Sequence, residues 1–142
     1  MTNDADDTKV QQSVEIKAPV ERVWRALVDA DTRRGWWSYL DLDPVVGGQV
    51  KETWEGPEGA NQTTGVVTEL AEGSRLAMDW ADDGWPASTH VEFTLRATES
   101  GTVVQVRESG LDRIPDGDTV ADEHRAGWQM HLTNLRKLVE RG

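Results

Sequence analysis

The first regular pattern along the chain is an alternation of apolar and polar positions. Val10, Val14 and Ile16 share one face with Gln12, and the residues between them are polar. A period of two residues is typical of a β-strand with one buried face. A helical period follows directly, with Pro19 suited to the first position of the helix. Its apolar stripe consists of Val20, Val23, Trp24, Leu27 and Val28.

A second helical segment is predicted after this stripe. Asp31 or Thr32 can cap it, and it runs toward Trp36 and Trp37. We expect the two short helices to lie as a pair across one end of a sheet.

The middle of the chain predicts consecutive antiparallel strands. Turn sequences rich in Gly, Asp and Ser recur about every ten residues, because Gly tolerates positive φ and the polar side chains bond the local backbone. They occupy residues 47–48, 56–59, 72–73, 82–84 and 99–101. Between them lie the alternating apolar residues Leu76, Met78, Trp80, Val91, Phe93, Leu95, Val104 and Val106. One apolar face per strand is typical of a sheet that packs on a core from one side.

The last segment predicts a long amphipathic helix. Asp118 or Thr119 offers an N-cap, and Arg136, Lys137 and Arg141 complement the negative end of the helix dipole. The inner side consists of Ala121, His124, Trp128, His131 or Leu132, Leu135, Leu138 and Val139. Since this side must be buried, we expect it against the apolar face of the sheet, which makes the fold α+β.

Length and charge limit the function classes. We expect a disordered lead-in at residues 1–8 and a single domain at residues 9–142. A net charge of -11, from 26 acidic and 15 basic side chains, would repel a phosphate backbone, so nucleic acid is not an expected partner. The absence of cysteine excludes disulfides and thiolate metal sites. No apolar run approaches the ~20 residues of a membrane span, which predicts a cytoplasmic protein without membrane insertion.

Four stretches resemble one branch of the START-like, or SRPBCC, superfamily. They are VEIKAPVERVWRALVDADTRRGWW at 14–37, the turn VGG at 46–48, RLAMDW at 75–80 and HRAGWQMHLTNLRKLVE at 124–140. The likeness extends from about residue 12 to residue 141 and is to homologues of the activator of the heat shock protein 90 ATPase.

The resemblance implies a helix-grip fold, in which a strongly curved antiparallel sheet wraps around the C-terminal helix. It also implies a cavity between them, which in related proteins takes sterols, lipids, polyketides or other apolar molecules. A chaperone is the other partner that it implies. The eukaryotic activators carry an additional N-terminal domain, for which residues 1–8 are too short. We therefore expect a small apolar molecule, in preference to a chaperone, as the partner.

Tryptophan is over-represented in this chain, with seven Trp against one Tyr and one Phe. Strand parity points Trp54 and Trp80 inward with Met78 and Phe93, and Trp128 meets them from the helix. Flat rings with one indole donor each suit an aromatic or polycyclic guest. The alternative is that these rings only fill the core.

Two carboxylates, Glu52 and Glu108, also fall at inward positions of their predicted strands. Buried there, each would have a raised pKa or pair with a cation. Each could then hold the polar end of a guest, with His124 and His131 as companions on the helix. Alternatively both carboxylates reach water, one at a strand end and the other near a bulge.

Gly127 lies inside the predicted C-terminal helix, where Gly costs about 1 kcal/mol relative to Ala. The interpretation that we favour is a close approach of the sheet to the helix backbone. In the alternative, the missing side chain leaves volume for a ligand beside Trp128.

The predicted function is binding of a small apolar or aromatic molecule between sheet and helix. The first alternative is an enzyme of aromatase/cyclase or hydrolase type, in which one of the two carboxylates and a histidine exchange protons. The second is modulation of a chaperone ATPase through the acidic surface. No cofactor is expected. No metal site is expected either, because His90 falls at an outward position and His124 and His131 lie two helical turns apart.

Overall fold

The computed structural model describes residues 9–56 and 59–141. The predicted lead-in at residues 1–8 lies outside the described residues, as do two residues of the predicted turn at 56–59.

Within the described ranges, seven strands form one antiparallel sheet. The strands are β1 (Val10–Ile16), β2 (Leu40–Leu42), β3 (Gln49–Gly56), β4 (Gly59–Ala71), β5 (Arg75–Asp82), β6 (Thr89–Ala97) and β7 (Thr102–Ser109). The helices are α1 (Val20–Val28), α2 (Ala30–Arg33) and α3 (Gly117–Arg141), with a short 3-10 helix at Leu111–Arg113 before α3.

Strands β2 to β7 form a meander, and β1 is added at the β7 edge of the sheet. Its spatial order is β1-β7-β6-β5-β4-β3-β2, so strands β2 to β7 are neighbours in chain order. β1 crosses to the far edge and pairs antiparallel with β7. The curved sheet, the long C-terminal helix and the two short helices after β1 confirm the predicted α+β helix-grip fold.

The apolar stripes meet in one core between the sheet and α3. The alternating residues of β5, β6 and β7 are buried, and α3 buries Ala121, Trp128, Leu132, Leu135 and Val139 along its inner side. In the part of the chain that the structure describes, no helix is both long enough and apolar enough to cross a bilayer.

The cap of α2 differs from the prediction. Asp29, rather than Asp31 or Thr32, is the N-cap. Its Oδ2 accepts hydrogen bonds from the Thr32 backbone N–H at 3.0 Å and from the Thr32 hydroxyl at 2.7 Å. Thr32 is therefore the donor inside the first turn and not the cap.

The starts of the two other helices also differ from the prediction. Pro19 precedes α1 as its N-cap, with extended backbone at φ -69° and ψ 156°, and is not its first helical residue. α3 begins at Gly117, before the predicted caps Asp118 and Thr119, because the backbone N–H of Val120 already donates to Asp116 O at 3.0 Å.

The connection between α2 and β2 is anchored to α1 by buried polar side chains. Arg33 is 3% exposed and donates from Nη1 to Leu27 O at 3.1 Å and from Nη2 to Leu42 O at 3.5 Å. The indole N–H of Trp36 donates to Ala26 O at 2.7 Å. These bonds hold the connection between α2 and β2 in place.

Candidate functional site

A pocket of about 560 Å³ lies between the sheet and α3. β3, β4 and β5 form one wall, α3 forms the opposite wall, and the connection between α2 and β2 closes one side. The aromatic residues lining it are Trp37, Tyr39, Trp54, Trp80 and Trp128. Cavities of about 300–1,000 Å³ are the size that holds drug-sized ligands.

Trp37, Trp80 and Trp128 form the floor of the pocket, and their rings pack on one another in fixed orientations. Trp80 and Trp128 are stacked, with centroids 5.7 Å apart and planes 14° apart. Trp37 meets both edge-on, at 6.2 Å and 5.5 Å. Gly65 on β4 makes room for β5 here, because a Cβ at this position would lie 2.6 Å from Trp80 Cβ. Trp54 is 37% exposed and belongs to the rim.

Behind the floor, Glu108 accepts hydrogen bonds from four side chains while only 1% exposed. Its Oε1 accepts from His124 Nδ1 at 2.7 Å and from Trp128 Nε1 at 3.1 Å. Its Oε2 accepts from Thr89 Oγ1 at 2.7 Å and from Trp80 Nε1 at 3.3 Å. The inward orientation of Glu108 is confirmed, and the alternative in which it reaches water is wrong.

His124, which lines the pocket, pairs with the buried Glu108 behind it. Burial alone would lower the pKa of His124, but the hydrogen bond and the charge of Glu108 raise it above 6.5. Burial alone would raise the pKa of Glu108, but the hydrogen bonds from His124, Thr89 and Trp128 bring it below 4.5. Both directions favour the charged forms of the pair.

Two further carboxylates line the pocket, and both have raised pKa values. Glu52 Oε2 accepts from Trp37 Nε1 at 2.9 Å, and Asp82 Oδ1 accepts from the Thr63 hydroxyl. Burial is the main cause of the raised pKa in both, and the charge of Asp82 raises the pKa of Glu52 further. Their neutral hydrogen-bond donors therefore do not compensate the buried negative charge.

His131 is a neutral residue of the α3 wall. It is 8% exposed and stacks on Trp37 with ring centroids 4.5 Å apart. Burial lowers the pKa of His131 to about 4. Its Nε2 lies 3.3 Å from Tyr39 Oη, whereas its Nδ1 has no hydrogen-bond partner in the described part of the chain. The Nδ1 atom of His131 is thus a buried polar atom without a hydrogen bond among the described residues.

Gly127 leaves open volume in the same wall. Among the described residues, a Cβ at Gly127 would meet no atom within 4 Å, apart from neighbours along its own helix. The favoured interpretation, a close approach of the sheet, is therefore wrong. The missing side chain enlarges the pocket beside Trp128.

Residues 17–140 match the protein family described as Activator of Hsp90 ATPase homolog 1-like protein. This match spans more than half of the chain. The chain belongs to this family. No curated protein matches the sequence.

Several solved structures have the same fold as this chain. One from Chromobacterium violaceum is 26% identical, with a TM-score of 0.78, over 94% of this chain and 97% of that chain. The Aha1 dimer from Colwellia psychrerythraea is 22% identical, with a TM-score of 0.73, over 93% and 96%. DynU16, from the dynemicin biosynthetic locus, is 22% identical, with a TM-score of 0.79, over 94% of this chain and 47% of its own.

In this member of the Activator of Hsp90 ATPase homolog 1-like family, most of the predicted site residues meet at the pocket. Those that line it are Glu52, Trp54, Trp80, His124, Trp128 and His131. Met78, Phe93 and Glu108 require a correction, because they are 0%, 1% and 1% exposed and do not line the pocket. Met78 shares the parity of Trp80 but lies two residues away along β5, and β6, the strand of Phe93, contributes no lining residue. Phe93 instead supports the floor, edge-on to Trp128 at 5.5 Å.

Several residues of the site were not predicted from the sequence, and the inner ones among them are Trp37, Tyr39, Thr63 and Asp82. Trp37 and Tyr39 belong to a connection without strand or helix periodicity, and Thr63 lies in a strand with weak alternation. Asp82 stands in an Asp-Asp-Gly sequence that is typical of a turn. The pair of tryptophans at 36–37 was the only sequence signal for this wall.

Trp85 and His90 lie away from the pocket lining. Trp85 is half-buried, with its ring 6.0 Å from that of His124. His90 faces outward as predicted and contacts Asp79 at 2.6 Å and Glu92 at 3.1 Å. Across residues 9–56 and 59–141, no three histidine or acidic side chains are grouped as a metal ion requires.

Proposed function

We propose that this chain binds a small, largely aromatic molecule in the pocket between the sheet and α3. The observation that carries the proposal is a pocket of about 560 Å³ whose walls include five aromatic side chains. Aromatic rings prefer offset-stacked or edge-to-face partners, and such pairs gain about 0.5–1.5 kcal/mol beyond the burial of their area. Ring surfaces that border open space therefore favour a flat aromatic guest.

Native mass spectrometry of gently purified protein, beside a denaturing spectrum, tests this proposal. We expect a compound that leaves on unfolding and that quenches the tryptophan fluorescence saturably when it is added back. Trp37, Trp80 and Trp128 would report its binding directly. A clean mass, with no fluorescence response to sterols, fatty acids or polycyclic aromatics, would contradict the proposal.

Gly127→Leu is expected to weaken binding of such a compound by about tenfold or more, because the new side chain enters the open volume of the pocket. Leu is a better helix former than Gly by nearly 1 kcal/mol, so the melting temperature should not fall. Fluorescence titration and thermal unfolding of the same samples measure the two effects.

Gly127→Ala is the matched control for this variant. A methyl group fits the free space, so the free energy of unfolding should rise by about 0.5–1 kcal/mol while the affinity changes less than about threefold. If wild type and Gly127→Leu bind equally well, the guest lies elsewhere and the pocket assignment fails.

Acid–base catalysis on the bound molecule is a second candidate, and the ion pair of His124 with Glu108 favours it. A histidine oriented by a carboxylate is the arrangement used for proton transfer. Incubation of the co-purified compound with the protein, followed by mass spectrometry, tests this candidate. Conversion that is lost in His124→Gln, with binding retained, supports catalysis, whereas an unchanged compound contradicts it.

Modulation of a chaperone ATPase is a third candidate, which the description of the family suggests. Contact through the acidic surface should weaken as salt is added and should not need an open pocket. Gly127→Leu separates this candidate from ligand binding, because stimulation of a chaperone ATPase should then stay at the wild-type level.

A further inference from the structure

The hydrogen-bond donors of the pocket's tryptophans are already used within the protein. The indole N–H groups of the four lining tryptophans donate to Glu52, Thr63 and Glu108, at distances from 2.9 Å to 3.4 Å. A guest therefore meets the faces and edges of these rings but not their donors. The face of an aromatic ring is the negative side of its quadrupole.

The charged side chains at the pocket are mainly acidic. Glu52 and Asp82 line its inner part, and Glu55 and Glu123 line the exposed rim. Among the lining residues that the structure describes, none is Lys or Arg. The ring faces and the carboxylates thus present negative potential to the same space.

Neither inner carboxylate forms an ion pair with a cation among the described residues. The charge of His124, in the same wall, lowers the pKa of both, but its direct contact is with Glu108 at 2.7 Å. The raised pKa values of Glu52 and Asp82, which burial causes first and mutual repulsion increases for Glu52, show that their ionised forms are under-compensated. A positive group placed between them would stabilise both.

We infer that the ligand of this pocket is an organic cation: a flat aromatic amine with its ammonium group at Glu52 and Asp82 and its ring against Trp80 and Trp128. This inference rests on the proposed function and names the chemical class of the ligand. An ammonium near the face of an aromatic ring is attracted by the ring quadrupole, most strongly by Trp. Aromatic walls with acceptors at one end match both parts of such a molecule.

Three naphthalene derivatives of equal ring size test the inference by isothermal titration calorimetry at neutral pH. Naphthylmethylammonium is positive, naphthylmethanol is neutral and naphthoate is negative. We expect the cation to bind at least about tenfold more tightly than the alcohol, and naphthoate to bind most weakly. Equal or tighter binding of the alcohol or of naphthoate would overturn the inference and leave the proposed function standing. No saturable heat with any of the three would contradict both.

Neutral variants of the inner carboxylates locate the charge preference. Glu52→Gln and Asp82→Asn should each weaken binding of the cation about tenfold and change that of the alcohol less than about threefold. Asp83→Asn is the matched control, since Asp83 is exposed, adjacent in sequence and outside the pocket lining, and it should bind like wild type. Circular dichroism verifies the folding of each variant, and one folded variant of the two is enough for the test. An equal loss for cation and alcohol would show a structural role and overturn the inference.

Discussion

Glu108→Ala is expected to lower the free energy of unfolding by about 3–5 kcal/mol, because it removes one partner of a buried ion pair. His124 loses its counter-charge, and the donors of Thr89, Trp80 and Trp128 lose their acceptor. Each buried donor left without a partner costs about 1–3 kcal/mol, which supports the size of the effect. Urea unfolding followed by tryptophan fluorescence measures the loss.

Two comparison variants separate charge from packing at this position. Glu99→Ala removes an exposed carboxylate from the turn between β6 and β7 and should change stability by less than about 0.5 kcal/mol. Glu108→Gln keeps the volume but replaces an acceptor with a donor, so an intermediate loss is expected. In either Glu108 variant an NMR titration should show a lower pKa for His124. A loss below about 1 kcal/mol in Glu108→Ala would contradict the buried network.

Acidification from pH 7 to pH 4 is expected to remove about 3 kcal/mol of stability through His131 alone. Its pKa falls from 6.5 in the unfolded chain to about 4 in the fold, where burial disfavours the charged ring. Between about pH 6.5 and pH 4 the unfolded chain therefore binds a proton at His131 that the folded chain does not bind. Stability decreases as the pH is lowered through this range. The difference of about 2.5 pKa units corresponds to about 3 kcal/mol.

His131→Phe isolates this contribution. The variant keeps a ring against Trp37 but cannot titrate, and all other groups remain in both proteins. Wild type should lose about 3 kcal/mol more than His131→Phe between the two pH values, as measured by urea unfolding. An NMR titration that places the pKa of His131 near 6.5 in the folded protein would refute the explanation.

Most of the fold could be predicted from the periodicity of the sequence, because most strands and helices bury only one face. The strand at residues 10–16 was predicted with its observed bounds, since a single buried face makes the period of two visible. The helix caps were less predictable. Asp29, Asp31 and Thr32 lie within four residues of one another, and each has a side chain that can cap a helix. Only the local geometry selects Asp29.

The site was predictable in part. The alternation of residues along a strand assigns each side chain to one face of the sheet, but it does not say how deep in the fold the side chain lies. Glu52 and Glu108 point inward as their positions predict. Met78 lies two residues from Trp80, about 7 Å along the strand, and this step separates the core from the pocket. Trp37 was missed because its segment has no regular period, and its place depends on contacts distant in sequence.

The anchored connection between α2 and β2 determines by which route, and how fast, a guest exchanges with solvent. Arg33 and Trp36 hold this wall by buried hydrogen bonds, so it cannot swing outward without breaking them. Entry of a guest would then be left to the exposed rim, where Trp54, Glu55 and Glu123 lie. No opening step then precedes association, so the observed rate should rise linearly with guest concentration and show no plateau. The lifetime of the complex would be governed by the contacts inside the pocket and not by a gate.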